Sequence, residues 1–191
     1  RSPYPYARIV AINIAQAAAM PGVIRVVTAA DLEGVVEPWR GTHNLFPDMK
    51  VPVQTALATD TARWQGEAVV AVAARSRAEA EDAAEHIVVE WAELPAVSDA
   101  AVALDPAAPV IHQDYDGNQA FTAAVSQGDP AAAFADAPHV VEREFRFNRH
   151  TGVSLETRGL VADYDPTSDR LTVHQSHQTP HQQQDLYARL L

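Results

Sequence analysis

The chain has 191 residues, enough for one or two domains with a real core, but its 47% hydrophobic content includes thirty-six alanines, which bury little apolar area each. A formal net charge of −11 argues against nucleic acid or an anionic membrane as partner, because either needs a concentrated Lys/Arg surface to displace counterions. With no cysteine, the chain brings neither a disulfide framework nor thiolate ligands for zinc or an iron–sulfur cluster.

The N-terminal run Arg1-Ser2-Pro3-Tyr4-Pro5-Tyr6 has no signal-type apolar stretch, and nowhere do about 18 apolar residues occur together. The expected compartment is the cytoplasm, with the periplasm also open, and no membrane span is expected. The chain starts in mid-pattern and ends at Leu190-Leu191 without a helix-stop signal, the expectation for a piece of something larger. Leu186, Leu190 and Leu191 predict a final helix built to pack against further material.

Ile9 to Ile14 alternates as a strand, Ala15 to Met20 makes a short helix ended by Pro21-Gly22, and Val23 to Val27 is a second strand. Thr28 is placed to cap the turn Ala29 to Leu32, with Gly34 as its stop. Val35 to Leu57 reads as a Pro-, Gly- and Trp-containing excursion to which no function can be assigned. Ala68 to Ala74 is a continuous apolar run of the kind buried on both faces of a sheet. Ser76 with Glu79 forms a capping box for a helix from Arg77 to His86, with Ala80, Ala83 and Ala84 on one face, and Ile87 to Trp91 returns as a strand. The charges of that helix, Glu79, Glu81, Asp82 and Glu85, read as a solvated face.

From about Asp99 to Pro138 the composition fits an extended connection, within which Asp129-Pro130 caps a brief helix through Ala135. Val141 to Phe147 then alternates, with Val141, Phe145 and Phe147 on one side and Glu142, Glu144 and Arg146 on the other. Arg143 falls on the apolar side and needs a partner. Val153 to Tyr164 predicts a strand, Asp165 to Asp169 a turn, and Arg170 to Val173 the return arm of a hairpin.

That hairpin runs into Leu171-Thr-Val-His-Gln-Ser-His-Gln-Thr-Pro-His181, a strand leading into a polar corner ended by Pro180. His174, His177 and His181, with Asp185 a turn further on, have spacings a metal could use, but Pro180 interrupts any single helix through them. Hydrogen-bonded or exposed histidines near a strand end are therefore the expectation. Glu156 and Arg158 share strand parity, which predicts a structural pair or, less simply, a place near a ligand. No Gly-x-Ser-x-Gly, Gly-x-Gly-x-x-Gly or P-loop occurs, and no carboxylate pair stands out as catalytic.

Several runs, taken together, resemble a known family. Arg1-Ser-Pro-Tyr-Pro-Tyr-Ala-Arg-Ile9, Met20-Pro-Gly-Val23, Thr28-Ala-Ala-Asp-Leu32 and Trp64-Gln-Gly-Glu-Ala-Val-Val-Ala-Val72 resemble the α/β hammerhead domain of the xanthine oxidase family of molybdenum hydroxylases. Asn148-Arg-His-Thr-Gly-Val-Ser-Leu-Glu-Thr-Arg-Gly159, Val161-Ala-Asp-Tyr-Asp165, Leu171-Thr-Val173 and His177-Gln-Thr-Pro-His181 are similar to the opening of that family's molybdopterin-binding domain. The resemblance covers nearly the whole chain. It implies an α+β chain with a hammerhead domain over 1–104, a linker over 105–138 and the start of a molybdopterin-binding domain over 139–191.

The same resemblance implies that Gln178, in the family's Thr/Ser-x-Gln-x-Pro corner, is a cofactor-binding residue beside molybdenum, its amide near an oxo ligand. It implies oxidation of an aldehyde or N-heteroaromatic substrate with water-derived oxygen, with a Glu as base. Electrons would leave through 2Fe-2S clusters and FAD on partner chains. The Glu base and the remaining pterin contacts are expected beyond Leu191, so this stretch alone is expected to be inactive and to need the remainder of the molybdenum subunit. A non-catalytic interaction module on the same scaffold is the competing reading.

Overall fold

The computed structural model describes residues 1–41, 46, 48–147 and 155–191, which form two compact units: Arg1–Ala123 with Leu186–Leu191, and Ala124–Asp185. In the first unit, β1 (Ala7–Asn13) pairs antiparallel with β3 (Thr61–Ala62) on one edge and β5 (Val88–Glu93) on the other. A register shift between Ile9 and Ala11 leaves Val10 unpaired opposite β5 and exposed, so the predicted alternation is broken by a bulge. β3 is too short to register as a sequence pattern.

A second sheet pairs β2 (Val23–Val27) with β4 (Ala71–Ala74). The run Ala68 to Ala74, predicted to be buried on both faces, is a strand only in its last four residues, with Ala71 and Ala73 exposed. The physical reason is that α1 (Ala15–Ala18) and α2 (Arg77–Glu85) pack with this two-stranded ribbon, so only one face gains a core. That core is small: Ala17, Val26 and Ala83 are buried, with Ile14, Met20, Val23, Val70, Val72 and Ile87 around them. Alanines at Ala17 and Ala83 let the two helices approach closely.

Caps form where the sequence places them. The Ser76 hydroxyl accepts from the Glu79 N–H at 3.3 Å and donates to the Glu79 carboxylate at 2.9 Å. At the 3-10 turn Ala29–Leu32, Asp31 Oδ2 reaches back to accept from the Thr28 N–H and hydroxyl, both at 2.8 Å. Those bonds, with the Arg25 guanidinium at 3.1 Å, lower the Asp31 pKa to about 2. Gly34 follows at φ +71, the left-handed stop expected of glycine.

The excursion after Val35 is tied down at Trp39, Arg40, Val51 and Gln54. Trp39 and Gln54 exchange backbone hydrogen bonds, and Arg40 Nη1 and the Val51 carbonyl both meet the Tyr115 hydroxyl, at 2.9 and 2.8 Å. Residues 99–123, whose composition reads as an extended connection, belong to this unit. Asn118 organises them, accepting from the Ile111 N–H at 3.1 Å and donating to the Ala103 and Pro109 carbonyls at 3.1 and 2.9 Å. At the other end of the chain the Leu190 carbonyl accepts from the Glu37 N–H at 3.0 Å, and Leu186 and Leu190 are half-buried.

The second unit holds α3 (Pro130–Asp136), a hairpin of β6 (Leu160–Asp165) and β7 (Arg170–Gln175), and the start of α4 (Pro180–Leu190). Asp129 caps α3 by accepting from the Ala132 N–H at 3.0 Å. None of this unit's described residues is buried. The predicted strand from Val141 to Phe147 is not one: Val141, Phe145 and Phe147 are 79%, 78% and 88% exposed, and no described strand runs alongside. Alternation specifies two faces but cannot supply the ladder partner that makes a strand. Arg143 donates to the Glu142 carbonyl at 2.9 Å instead of entering an apolar face.

The strand predicted from Val153 is likewise shorter. Val153 and Ser154 lie outside the described residues, and Leu155 to Gly159 is not strand, because the ladder ends at Leu160 opposite Gln175. Beyond Gln175 the opposing arm turns away, so it offers no ladder partner to Leu155 to Gly159.

Candidate functional site

The hairpin, the bend after it and the first turn of α4 build the corner that the sequence singles out. The hairpin turn is held from within: Asp165 accepts from the Thr167 N–H at 2.9 Å and the Ser168 hydroxyl at 2.6 Å, bonds that keep its carboxyl below the usual range. The Tyr164 hydroxyl donates to Asp169 Oδ1 at 2.7 Å, across a residue at φ +50 that Asp tolerates. The ladder then runs in unbroken register from Asp165↔Arg170 to Leu160↔Gln175, carrying β7 two residues past its predicted end. His174 is therefore a strand residue opposite Val161.

After Gln175 the chain bends through Ser176 to Thr179 and enters α4 at Pro180, where a missing N–H costs nothing in a first helical turn. The Gln183 N–H donates to the Thr179 carbonyl at 3.1 Å, closing that turn. Both flanks of the bend are fixed by side chains. On one, the Ser176 hydroxyl donates to Glu156 Oε1 at 2.8 Å. On the other, His177 Nδ1 accepts from the Thr179 N–H at 3.1 Å and lies 3.0 Å from the Thr179 hydroxyl.

Between these pins sits Gln178, exposed, its side-chain amide making no hydrogen bond to the described residues. An amide offers two N–H donors and a carbonyl acceptor without titrating. The corner thus presents one uncommitted, neutral, bidentate polar group from an anchored loop.

The three histidines of the motif are distributed over three elements: His174 on β7, His177 in the bend and His181 in the first turn of α4. Among the described residues no group of three or more His, Asp or Glu side chains comes together as a metal site. Leu155 to Gly159 is not strand, so Glu156 and Arg158 do not share a strand face, and Glu156 accepts from the Ser176 hydroxyl at the corner. Sequence spacing could not show that contact, which joins residues twenty apart. In the first unit, an apolar cavity of about 470 Å³ lies among Ala30, Leu32, Val36 and Leu57, with Glu33 and Glu37 also lining it. It falls in and beside the excursion to which the sequence assigns no function.

Comparison with known proteins places these features in a class. Residues 1–95 match the family profile described as "Aldehyde oxidase and xanthine dehydrogenase, a/b hammerhead domain", and residues 111–191 match "Molybdopterin cofactor-binding domain". The corner lies in the second match.

The chain belongs to the xanthine oxidase family of molybdenum-dependent oxidoreductases, and carries its hammerhead domain and the start of its molybdopterin-binding domain. It is 37% identical over 95% of its length to the nicotine 6-hydroxylase large subunit of Paenarthrobacter nicotinovorans, and 36% identical over 95% to the carbon monoxide dehydrogenase large chain of Hydrogenophaga pseudoflava. The crystal structure of quinoline 2-oxidoreductase from Pseudomonas putida 86 superposes with a TM-score of 0.82 at 36% identity, covering 91% of this chain. The chain spans 22%, 23% and 22%, respectively, of the length of these three relatives. No helix among the described residues is long and apolar enough to cross a membrane.

Proposed function

We propose that this chain is part of the molybdenum subunit of a hydroxylase or dehydrogenase that oxidises an aldehyde or N-heteroaromatic substrate with water-derived oxygen, and that Gln178 contacts its molybdopterin-type cofactor. The observation that carries this reading is the Gln178 amide, exposed and uncommitted at the centre of a bend whose two flanks are pinned. The residues fit such a group: an oxygen-bearing metal centre is met by a neutral N–H donor that keeps its protonation state at any working pH. When bound, the cofactor supplies the two-electron oxidation chemistry that no side chain of this chain offers.

The chain's own part is positional. The hairpin delivers the corner, Pro180 starts α4 directly behind it, and Gln178 donates from between them. The hammerhead domain is assigned to 1–104, a connection to 105–138, of which 105–123 fold with the first unit, and the molybdopterin-binding part to 139–191. Further sequence of the molybdenum subunit would supply the Glu base and the remaining pterin contacts. With no cysteine to ligate iron here, the 2Fe-2S clusters, and FAD with them, belong on partner chains. The exposed Val141, Phe145 and Phe147 support the need for that further sequence, as a two-stranded hairpin without a buried residue is marginal alone. The setting assigned to the complex is the cytoplasm.

The test is Gln178→Ala in the intact complex, with molybdenum measured by elemental analysis and turnover measured on aldehyde and N-heteroaromatic substrates. Loss of one hydrogen bond to a charged centre, about 1.5–3 kcal/mol, predicts a roughly 10- to 150-fold fall in kcat/KM. Undiminished turnover with full molybdenum would instead favour a corner that is structural in an interaction module.

A further inference from the structure

We infer that His177 is a positioning residue: its ring, locked to Thr179, sets the direction in which Gln178 points. The inference rests on the reading of Gln178 as a cofactor contact. Its basis is the contact across the bend, where His177 Nδ1 accepts from the Thr179 N–H at 3.1 Å and sits 3.0 Å from the Thr179 hydroxyl. A backbone N–H can only donate, so Nδ1 holds a lone pair and the ring carries its proton on Nε2. The pattern, a side-chain acceptor bonding the N–H two residues on, is that of an Asx turn, with imidazole in place of a carboxamide oxygen.

Gln178 is the single residue enclosed by this ring of atoms, so the closure restrains its φ and ψ. The bond also satisfies the N–H of Thr179 just ahead of α4, where the first backbone donors lack helical partners. On the far flank, the Ser176 hydroxyl bonded to Glu156 at 2.8 Å stops the bend from rotating about the end of β7. Neither His177 nor Thr179 needs to touch a cofactor to do this. Their effect on one is transmitted through the orientation of the intervening amide.

The experiment compares His177→Ala, His177→Asn, Thr179→Val and Gln178→Ala in the intact molybdenum subunit within its complex. Three readouts are taken: amide hydrogen exchange of Thr179, from peptides across 176–182, molybdenum content by elemental analysis, and turnover. His177→Ala removes the acceptor, and Thr179 exchange rises about fivefold, the factor for one ordinary hydrogen bond. His177→Asn restores an oxygen acceptor for the same N–H, so exchange returns to the wild-type rate. Molybdenum content falls in His177→Ala toward that of Gln178→Ala and recovers in His177→Asn. Thr179→Val keeps the N–H bond and stays near wild type in exchange.

Equal exchange in the Ala and Asn variants overturns the lock. Altered exchange with rescue by Asn, but with molybdenum unmoved in His177→Ala while it drops in Gln178→Ala, overturns the positioning role. Molybdenum content and turnover unmoved in Gln178→Ala overturn the reading of Gln178 itself, and the exchange result distinguishes that failure from loss of the lock.

Discussion

Gly22 offers a quantitative check on how the first unit is built. It sits at φ +81 in the turn that ends α1, and its carbonyl accepts from the Arg75 N–H at 2.9 Å. A Cβ added there would stand 2.2 Å from Glu79 Cδ and Oε1 and 2.6 Å from Oε2. Those atoms are the end of a flexible side chain, so Glu79 can swing away, but it then gives up the 2.9 Å bond from the Ser76 hydroxyl at the start of α2. Gly22→Ala therefore carries two costs: about 1–2 kcal/mol for an L-residue in left-handed backbone, and about 0.5–1 kcal/mol for the displaced cap partner.

Glu79→Ala alone removes the cap partner and costs about 0.5–1 kcal/mol. In the double variant the clash is already gone, so its cost falls short of the sum of the two by about 0.5–1 kcal/mol. The assay is urea unfolding followed by tryptophan fluorescence, which reports on the first unit because Trp39, Trp64 and Trp91 all lie in it. Strict additivity would refute the contact between Gly22 and Glu79, and a Gly22→Ala cost below about 0.5 kcal/mol would refute the backbone argument as well.

Two further predictions concern single side chains. Asp31 titrates at about 2 in the folded chain, below the usual 3.8. Because its folded value is depressed, its contribution to stability is complete above about pH 4 and is lost as pH falls through about 2. NMR titration of the carboxyl should show that midpoint, and Thr28→Val should move it upward; an unchanged midpoint in that variant would contradict the assigned cause. Asn118→Ala removes three hydrogen bonds from the 99–123 segment and should destabilise it by about 2 kcal/mol, seen as faster proteolysis between Asp99 and Ala123 at unchanged cleavage elsewhere.

Much of the first unit is legible in the sequence because its signals are local. Ser76 with Glu79, Thr28 with Asp31, Gly34 and the Asp129-Pro130 cap of the second unit act within a few residues, so the side chain that stops or starts an element is adjacent to it in sequence. The strand Val23–Val27 needs only its own β-branched run. The rest of the second unit is less legible, since strands at Val141 to Phe147 and Leu155 to Gly159 require partners that a pattern cannot name. Short β3 and the bulge at Val10 are hidden for the same reason.

By itself, then, the sequence determined the caps, the turns, the order of elements and the polar corner ended by Pro180, each a matter of local backbone preference. It also singled out Gln178 by resemblance. Tertiary structure decided which apolar runs are covered and which faces stay open, because burial depends on what packs opposite. It alone showed Ser176 held by Glu156 and the His177 ring closed on Thr179, leaving the amide between them uncommitted. Hydrogen-bond geometry depends on where the chain places its atoms in space: spacing does not bring Ser176 to Glu156 across twenty residues, nor does it set the ring orientation that closes His177 on its neighbour Thr179.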